Sequence, residues 1–550
     1  MLKNIKYILM IAGAALLAYS CQDYLNTPPV GSLSPDGFYN TPSHIESGVL
    51  GVYSKLQGIE QNQYMLFSED RSDNVWVDSD PNGIRTCSEV CFYRITSATS
   101  EVGDLWAGWY SLIYNANTVL SNIDAVEFTN EAIKNQFKGE LLFLRALAHF
   151  ELARTFGNVP VVDHVLSSAE SKELTQSTAS AVINDSVIPD LTEAENLLPY
   201  QASMKDANGS GVSGNGRADK LAAQALLARV YMTLKGYPFN DSSAKAKAQS
   251  YLSTVITNGA SYFAPTIQDW KNQWMPGWQN ISNKYQIFGI QHADTGHGNQ
   301  MTFVSGTMIK NLDIVRDGYH SGSEMNPVYP EGTLRYEYVS NDDPRGLGWN
   351  FLDGYDAYND VPVYSNRKGT FSYNGAEIES YVLSINCKWC PTIQKREECG
   401  NTFDDSSLGV STGSYNKWPL NFPILRYEDM MLLQAELYAE DGQTAQAMEL
   451  VNKIRQRAGI PERSASSSAE AMKFVKLERQ LELYLEGVYW FDMVRYGDWM
   501  ETTVAKLSTY QNQGWTNIST GNVKAGRYLL PIPMQETNAT PGLYTQNPDW

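Results

Sequence analysis

Two stretches of the chain combine residue types that together can hold a sugar ring. A pyranose offers apolar C–H faces and a rim of hydroxyls, so its site needs an exposed aromatic ring flanked by Asp, Asn, Arg or Gln. In Ser68-Glu69-Asp70-Arg71-Ser72-Asp73-Asn74-Val75-Trp76, polar groups surround one indole. Asp73, Asn74 and Trp76 are the candidate contacts there. The second stretch sets Trp270, Trp274 and Trp278 at four-residue intervals among Asn and Gln, with Trp349 and Tyr355 further on. Residues four apart are neighbours on a helix, so a helical segment would line these indoles along one side. Packing beneath loops is the other reading of each ring.

A third pattern is that of a calcium loop. Asp78-x-Asp80-x-Asn82-Gly83-x5-Glu89 matches the oxygen ligands and tight-turn glycine of a twelve-residue EF-hand loop. Pro81 inside the loop and Arg85 at its usually apolar position argue for a plain acidic surface turn instead. A structural Ca2+ held by Asp78, Asp80, Asn82 and Glu89 therefore stands as one of two open readings, and no other cofactor is called for.

Catalytic patterns are weaker. Glu69, Asp70 and Asp73 form an acidic cluster, but such clusters are common in a chain with 61 acids. His292-x4-His297 is not set in an H-E-x-x-H helix, and no G-x-S-x-G elbow lies between strand and helix signals. The residues point to binding rather than catalysis, with a glycoside hydrolase as the remote alternative.

Elements must deliver these residues, and first the chain must leave the cytoplasm. Lys3 and Lys6 precede an apolar run from Tyr7 to Ala18, then Ser20 and Cys21. That is the layout of a secretory signal, residues 1–20. As a helix the run would reach about 18 Å, short of a bilayer core of roughly 30 Å. Leu17-Ala18-Tyr19-Ser20-Cys21 resembles a lipobox, which makes Cys21 the lipidated N-terminus. The formal charge of -19 becomes -21 without Lys3 and Lys6, and it repels phosphate backbones, so nucleic acid is not an expected partner. Cys87, Cys91, Cys387, Cys390 and Cys399 read as two disulfides and one free thiol. Cys387-x-x-Cys390 with Cys399 lacks a nearby fourth ligand for zinc.

Beyond a Pro- and Ser-rich leader at 22–43, helical periodicity dominates. Ile45, Val49, Val52 and Leu56 share one spacing, and Leu105, Trp109, Leu112 and Ala116 another. Helices are expected over 130–156, 218–236, 244–258, 431–440 and 444–458, with a last one over 469–496. Small residues facing large ones in successive pairs suggest tetratricopeptide-type hairpins. Between about 261 and 420 the texture is Gly, Asn, Asp, Trp and Tyr, with short strands expected at 285–290 and 381–385. The expected fold is mainly α: a tetratricopeptide-like helical-hairpin scaffold with a loop-rich irregular half and a few short strands. A single domain over 21–550 would comprise a helical part at about 44–260, a loop-rich ligand-binding part at about 261–420 and a second helical part at about 421–550. Irregular excursions on a helical scaffold tend to carry function.

Further residues, taken in order, resemble the SusD/RagB-like nutrient-binding outer-membrane lipoproteins. They include Gly51-Val52-Tyr53, Trp109-Tyr110, Asn115-Ala116-Asn117 and Gly139-Glu140 through Leu144-Arg145-Ala146 to Phe156-Gly157-Asn158-Val159-Pro160. Asp343-Pro344-Arg345, Ile424-Leu425-Arg426-Tyr427-Glu428-Asp429, Glu478-Arg479, Glu486-Gly487 and Trp490-Phe491-Asp492 continue the series. Leu530-Pro531-Ile532-Pro533 and Gln546-Asn547-Pro548 close it. The resemblance implies four tetratricopeptide-like units, an outer-membrane location at the cell surface and a SusC-like TonB-dependent β-barrel transporter as partner. It further implies an oligosaccharide or polysaccharide ligand, with peptides or another nutrient as the minority case. Arg145, Glu478 and Arg479 would then be structural ion-pair partners.

Overall fold

Thr41, Asn130, Asp219 and Ser467 each stand just before a helical run. Each accepts a hydrogen bond from a first-turn N–H: that of His44, Ala132, Ala222 or Glu470. Short polar side chains there satisfy donors the helix itself leaves open. The computed structural model describes residues 35–77, 86–212, 216–274, 283–292, 328–352, 368–381, 385–389, 395, 398, 420–539 and 541–550. Its principal helices are α1 (Pro42–Lys55), α2 (Ser100–Ile123), α3 (Glu131–Phe156), α4 (Ile188–Leu197), α5 (Lys220–Lys235), α6 (Ala244–Asn258), α7 (Tyr427–Glu440), α8 (Thr444–Ala458), α9 (Ser468–Glu482), α10 (Tyr489–Tyr496) and α11 (Trp499–Asn512).

From α1 to α7 each helix packs on the next, and α7 then packs on both α8 and α9. This is the expected succession of antiparallel hairpins. Small residues allow the approach: Ala222, Ala223, Ala225 and Ala228 of α5 are all fully buried. At Gly139 of α3 an added Cβ would lie 2.8 Å from the Leu198 side chain that follows α4.

The expected last helix over 469–496 is in fact two. The turn from Leu483 to Val488 separates α9 from α10, with Leu485 at φ 58° and Gly487 at φ 71°. A Cβ on Gly487 would come 2.4 Å from that of Tyr64. The apolar stripe runs through this turn because Tyr484 and Leu485 are buried in the core, so periodicity alone hides the break.

Eight short strands form four two-stranded antiparallel pairs among the described residues. β1 (Val75–Val77) pairs with β3 (Val328–Pro330), and β2 (Gln286–Ile290) with β8 (Phe422–Arg426). β4 (Phe351–Leu352) pairs with β7 (Ile385–Asn386), and β5 (Lys368–Tyr373) with β6 (Ala376–Tyr381). The strand expected at 285–290 is β2. That expected at 381–385 falls on the end of β6 and the start of β7, with 382–384 outside the described residues. β2 with β8 ties the irregular half to the second helical part, and one continuous hydrophobic core includes residues from all three parts.

The quoted motif residues converge in buried ion pairs. Arg345 meets Asp343 at 2.7 Å and both Glu478 and Glu482 at 2.8 Å. Arg426 reaches Glu482 at 2.5 Å and Glu486 at 2.7 Å. Arg479 spans Asp429 and Asp492, and Arg145 holds Asp190 at 2.7 Å. Burial opposes ionisation of Glu482, but Arg457, Arg426 and Arg345 outweigh it and hold this carboxyl far below the ordinary range.

The cysteine expectation is corrected. Among the described residues Cys87, Cys91 and Cys387 carry no disulfide, which leaves too few cysteines for the two expected bridges. Cys87 and Cys91 sit one turn apart on the short helix Thr86–Cys91, where helical geometry keeps neighbouring Cβ atoms about 5–6 Å apart, beyond the usual disulfide span. Cys390 and Cys399 lie outside the described residues, as do residues 1–20, Cys21, Asp78, Asp80, Asn82, Trp278 and Tyr355. Among the described residues, no helix is long and apolar enough to cross a membrane.

Candidate functional site

Thr266 starts the short helix Ile267–Asn272 by accepting the Asp269 N–H. One turn later, the rings of Trp270 and Trp274 meet edge-on, 5.9 Å between centroids. Trp349 lies 6.3 Å from Trp270, and Trp389 lies 5.4 Å from Trp274. Phe422 and then Tyr64 continue this chain of rings. The Lys388 ammonium sits 4.1 Å above the Trp274 ring and pairs with Glu486 at 2.7 Å. Burial pulls it down to about 8, against the raising effect of Glu486.

Polar groups gather where this nest nears the surface. The Trp349 indole N–H donates to Glu398 at 3.0 Å, and Glu398 also pairs with Lys271. Exposed Gln268 donates to Asn272 at 2.9 Å. A carboxylate, an ammonium and amides thus stand on or beside this short helix above the buried indoles, groups that can bond sugar hydroxyls.

The second predicted stretch turns inward. Trp76 is fully buried and stacks flat on Tyr510, 3.4 Å between centroids, with Phe92 and Trp515 beside it. Arg71 lies 4.1 Å from the Trp490 ring centroid. Asn74 donates to Glu69 at 3.0 Å, and the Gly487 N–H donates to the same carboxylate at 2.7 Å. Burial raises the Glu69 carboxyl to about 7, against the lowering of those two hydrogen bonds. Half-buried Asp73 is raised to about 7 by desolvation, with Lys506 opposing.

The expectation of exposed platforms is therefore corrected for Trp76, Trp270, Trp274 and Trp349, whose residues are at most 1 % exposed. Asn74 is likewise buried. The physical reason is that each indole finds large apolar partners from distant parts of the chain, and burying an indole is more favourable than leaving it in water. The fold does bring the two stretches together: Glu69 through Gly487, and Trp274 through Lys388 and Glu486, both meet the turn after α9. Lys388, Trp389 and Tyr510 are the contacts that sequence reasoning missed, since they lie far away in sequence. Of the calcium pattern, Glu89 alone is described; it pairs with Arg94 at 2.8 Å. Among the described residues no cluster of three His, Cys, Asp or Glu is arranged for a metal.

A second feature was also missed. A cleft of about 350 Å³ opens between α1, the segment leading into α5 and the end of β2, lined by Leu50, Tyr53, Gln57, Arg217, Ile290 and Gln291 among others. Leu50 was the available signal, because it is an apolar residue off the α1 stripe.

Residues 257–550 match the family described as the SusD family, and residues 23–232 match one described as starch-binding associating with outer membrane. The chain belongs to the SusD family. SusD-like protein P38 of Formosa agariphila is 24% identical, covering 90% of this chain and 91% of the relative. A SusD-like protein of Bacteroides ovatus is 22% identical, covering 93% and 86%. A SusD homologue from Bacteroides thetaiotaomicron shares the fold with a TM-score of 0.72 at 20% identity, over 94% of this chain and 98% of that one. A structure described as a laminarin binding SusD-like protein superposes with a TM-score of 0.67 at 23% identity, over 93% and 100%. The SusD-family fold is thus matched along nearly the whole chain.

Proposed function

We propose that this protein is a cell-surface lipoprotein, anchored through Cys21 to the outer membrane, that binds oligosaccharide or polysaccharide nutrient and passes it to a SusC-like TonB-dependent transporter without catalysis. The observation that carries this reading is membership of the SusD family, matched over residues 257–550, joined to an indole nest whose rim carries Lys271, Glu398, Gln268 and Asn272. A laminarin-binding relative of the same fold supports a glucan among the ligands. The proposed contacts are this rim, half-buried Asp73, and Trp278 and Tyr355, while Trp270, Trp274 and Trp349 form the support beneath. The Asp78–Glu89 loop is the proposed place for a structural calcium ion. Glu89 would have to release Arg94 to serve as a ligand.

Affinity electrophoresis of the mature protein through a panel of polysaccharides, laminarin and starch included, tests the reading. Retardation by at least one glycan without release of reducing sugar supports it. No retardation by any of them, or accumulation of reducing ends, overturns it.

A further inference from the structure

The cleft beside α1 has a makeup that selects its ligand. Among its described lining residues the one cation, Arg217, is already neutralised: its guanidinium donates to Glu140 at 2.6 and 2.7 Å and to Glu46 at 2.7 Å. The Tyr53 hydroxyl donates to Glu140 and accepts the Ala218 N–H. Two carboxylates against one guanidinium leave no attraction for an anion, and both carboxylates are occupied. What remains is uncharged: the amide side chains of Gln57 and Gln291, backbone of β2, and the apolar surfaces of Ile290 and Leu50.

Those amides already act as hydrogen-bonding groups on the strand end. Gln57 donates to the Gln291 carbonyl at 2.6 Å, and Gln291 donates to the Gly289 carbonyl at 3.0 Å. Leu50 is 48% exposed at the rim. This large aliphatic side chain stands at the mouth of a cleft whose lining is mainly apolar, and together they offer a surface for an apolar ring face. The volume of about 350 Å³ lies at the lower end of small-molecule sites, which run from roughly 300 to 1,000 Å³.

We propose that this cleft is a separate binding site for one or two rings of an uncharged saccharide, with Leu50 against the C–H face and Gln57 and Gln291 on the hydroxyls. The inference rests on the glycan reading for its ligand class, and on the cleft for its place.

Calorimetric titration of the mature protein with glucose, laminaribiose and maltose tests it, alongside Gln57→Ala and the cleft-filling Ser54→Trp, whose exposed helical position tolerates a large side chain. Binding of at least one probe by the unaltered chain, weakened tenfold or more by both substitutions, is the expected result. Slowed hydrogen exchange over 50–57 with saturating probe is expected too, and needs no variant. Absence of binding by all three probes overturns the proposal, as does binding that Ser54→Trp leaves unchanged or that leaves exchange over 50–57 unaltered. If polysaccharide retardation persists in those cases, the glycan reading stands and the cleft assignment alone falls.

Discussion

Glu69 accepts the Gly487 N–H at 2.7 Å across 418 positions of sequence. That contact fixes the polar segment at 68–76 onto the turn that breaks α9 from α10. The Ser68 hydroxyl donates to the Gly487 carbonyl at 2.8 Å from the same segment. A glycine is required where they meet, because its φ of 71° and the nearness of Tyr64 both exclude a side chain.

Gly487→Ala should therefore be severely destabilising. Left-handed strain and overlap with Tyr64 together cost roughly 3 kcal/mol or more. Denaturant unfolding of the variant checks this. A midpoint like that of the unaltered chain would show that the turn is not held as described.

The raised Glu69 carboxyl gives a pH signature with a definite sign. Its native value of about 7 lies above the ordinary 4.5, so between those values the folded state binds more protons than the unfolded one. Its contribution is therefore favourable at low pH and is lost as pH rises through 4.5 to 7. The shift corresponds to roughly 3 kcal/mol. Glu69→Gln should remove this dependence, so its stability relative to the unaltered chain should rise across that window. Melts of both proteins from pH 4 to 8 check the difference; parallel curves would contradict the assignment.

Burial marks Trp76 and Trp274 as supporting rings. Trp76→Ala and Trp274→Ala should each cost about 3–5 kcal/mol of stability, as large-to-small changes in a packed core do. Trp278→Ala and Tyr355→Ala, at the proposed contacts, should weaken glycan retardation. Electrophoresis and thermal melts on the four variants distinguish the two groups.

Breaking the buried ionic cluster at one member should be as damaging as breaking the core. Glu482→Leu would leave Arg345, Arg426 and Arg457 without a shared carboxylate, at a cost of about 3–5 kcal/mol. A loss under 1 kcal/mol in chemical denaturation would mean the cluster rearranges freely.

Thiol counting tests the cysteine assignment. The chain from residue 22, unfolded in guanidinium without reductant, should titrate at least three thiols, from Cys87, Cys91 and Cys387. A single reactive thiol would restore the two-disulfide arrangement.

Much of the scaffold was legible because helices are local. The spacing of residues such as Leu105 and Trp109 fixes elements through neighbours a few residues apart. The order of motifs likewise identified the family from the chain alone. Exposure was not legible, because it depends on what packs against a side chain. Trp76 and Trp274 look like sugar platforms until Tyr510 and Trp389 cover them. The break at Leu483–Val488 was hidden for the same reason: its apolar residues continue the helical stripe, and only the tertiary contacts with Tyr64 and Glu69 reveal why a turn lies there. Local spacing determined the helices; long-range packing decided which indoles are foundation and where the clefts open.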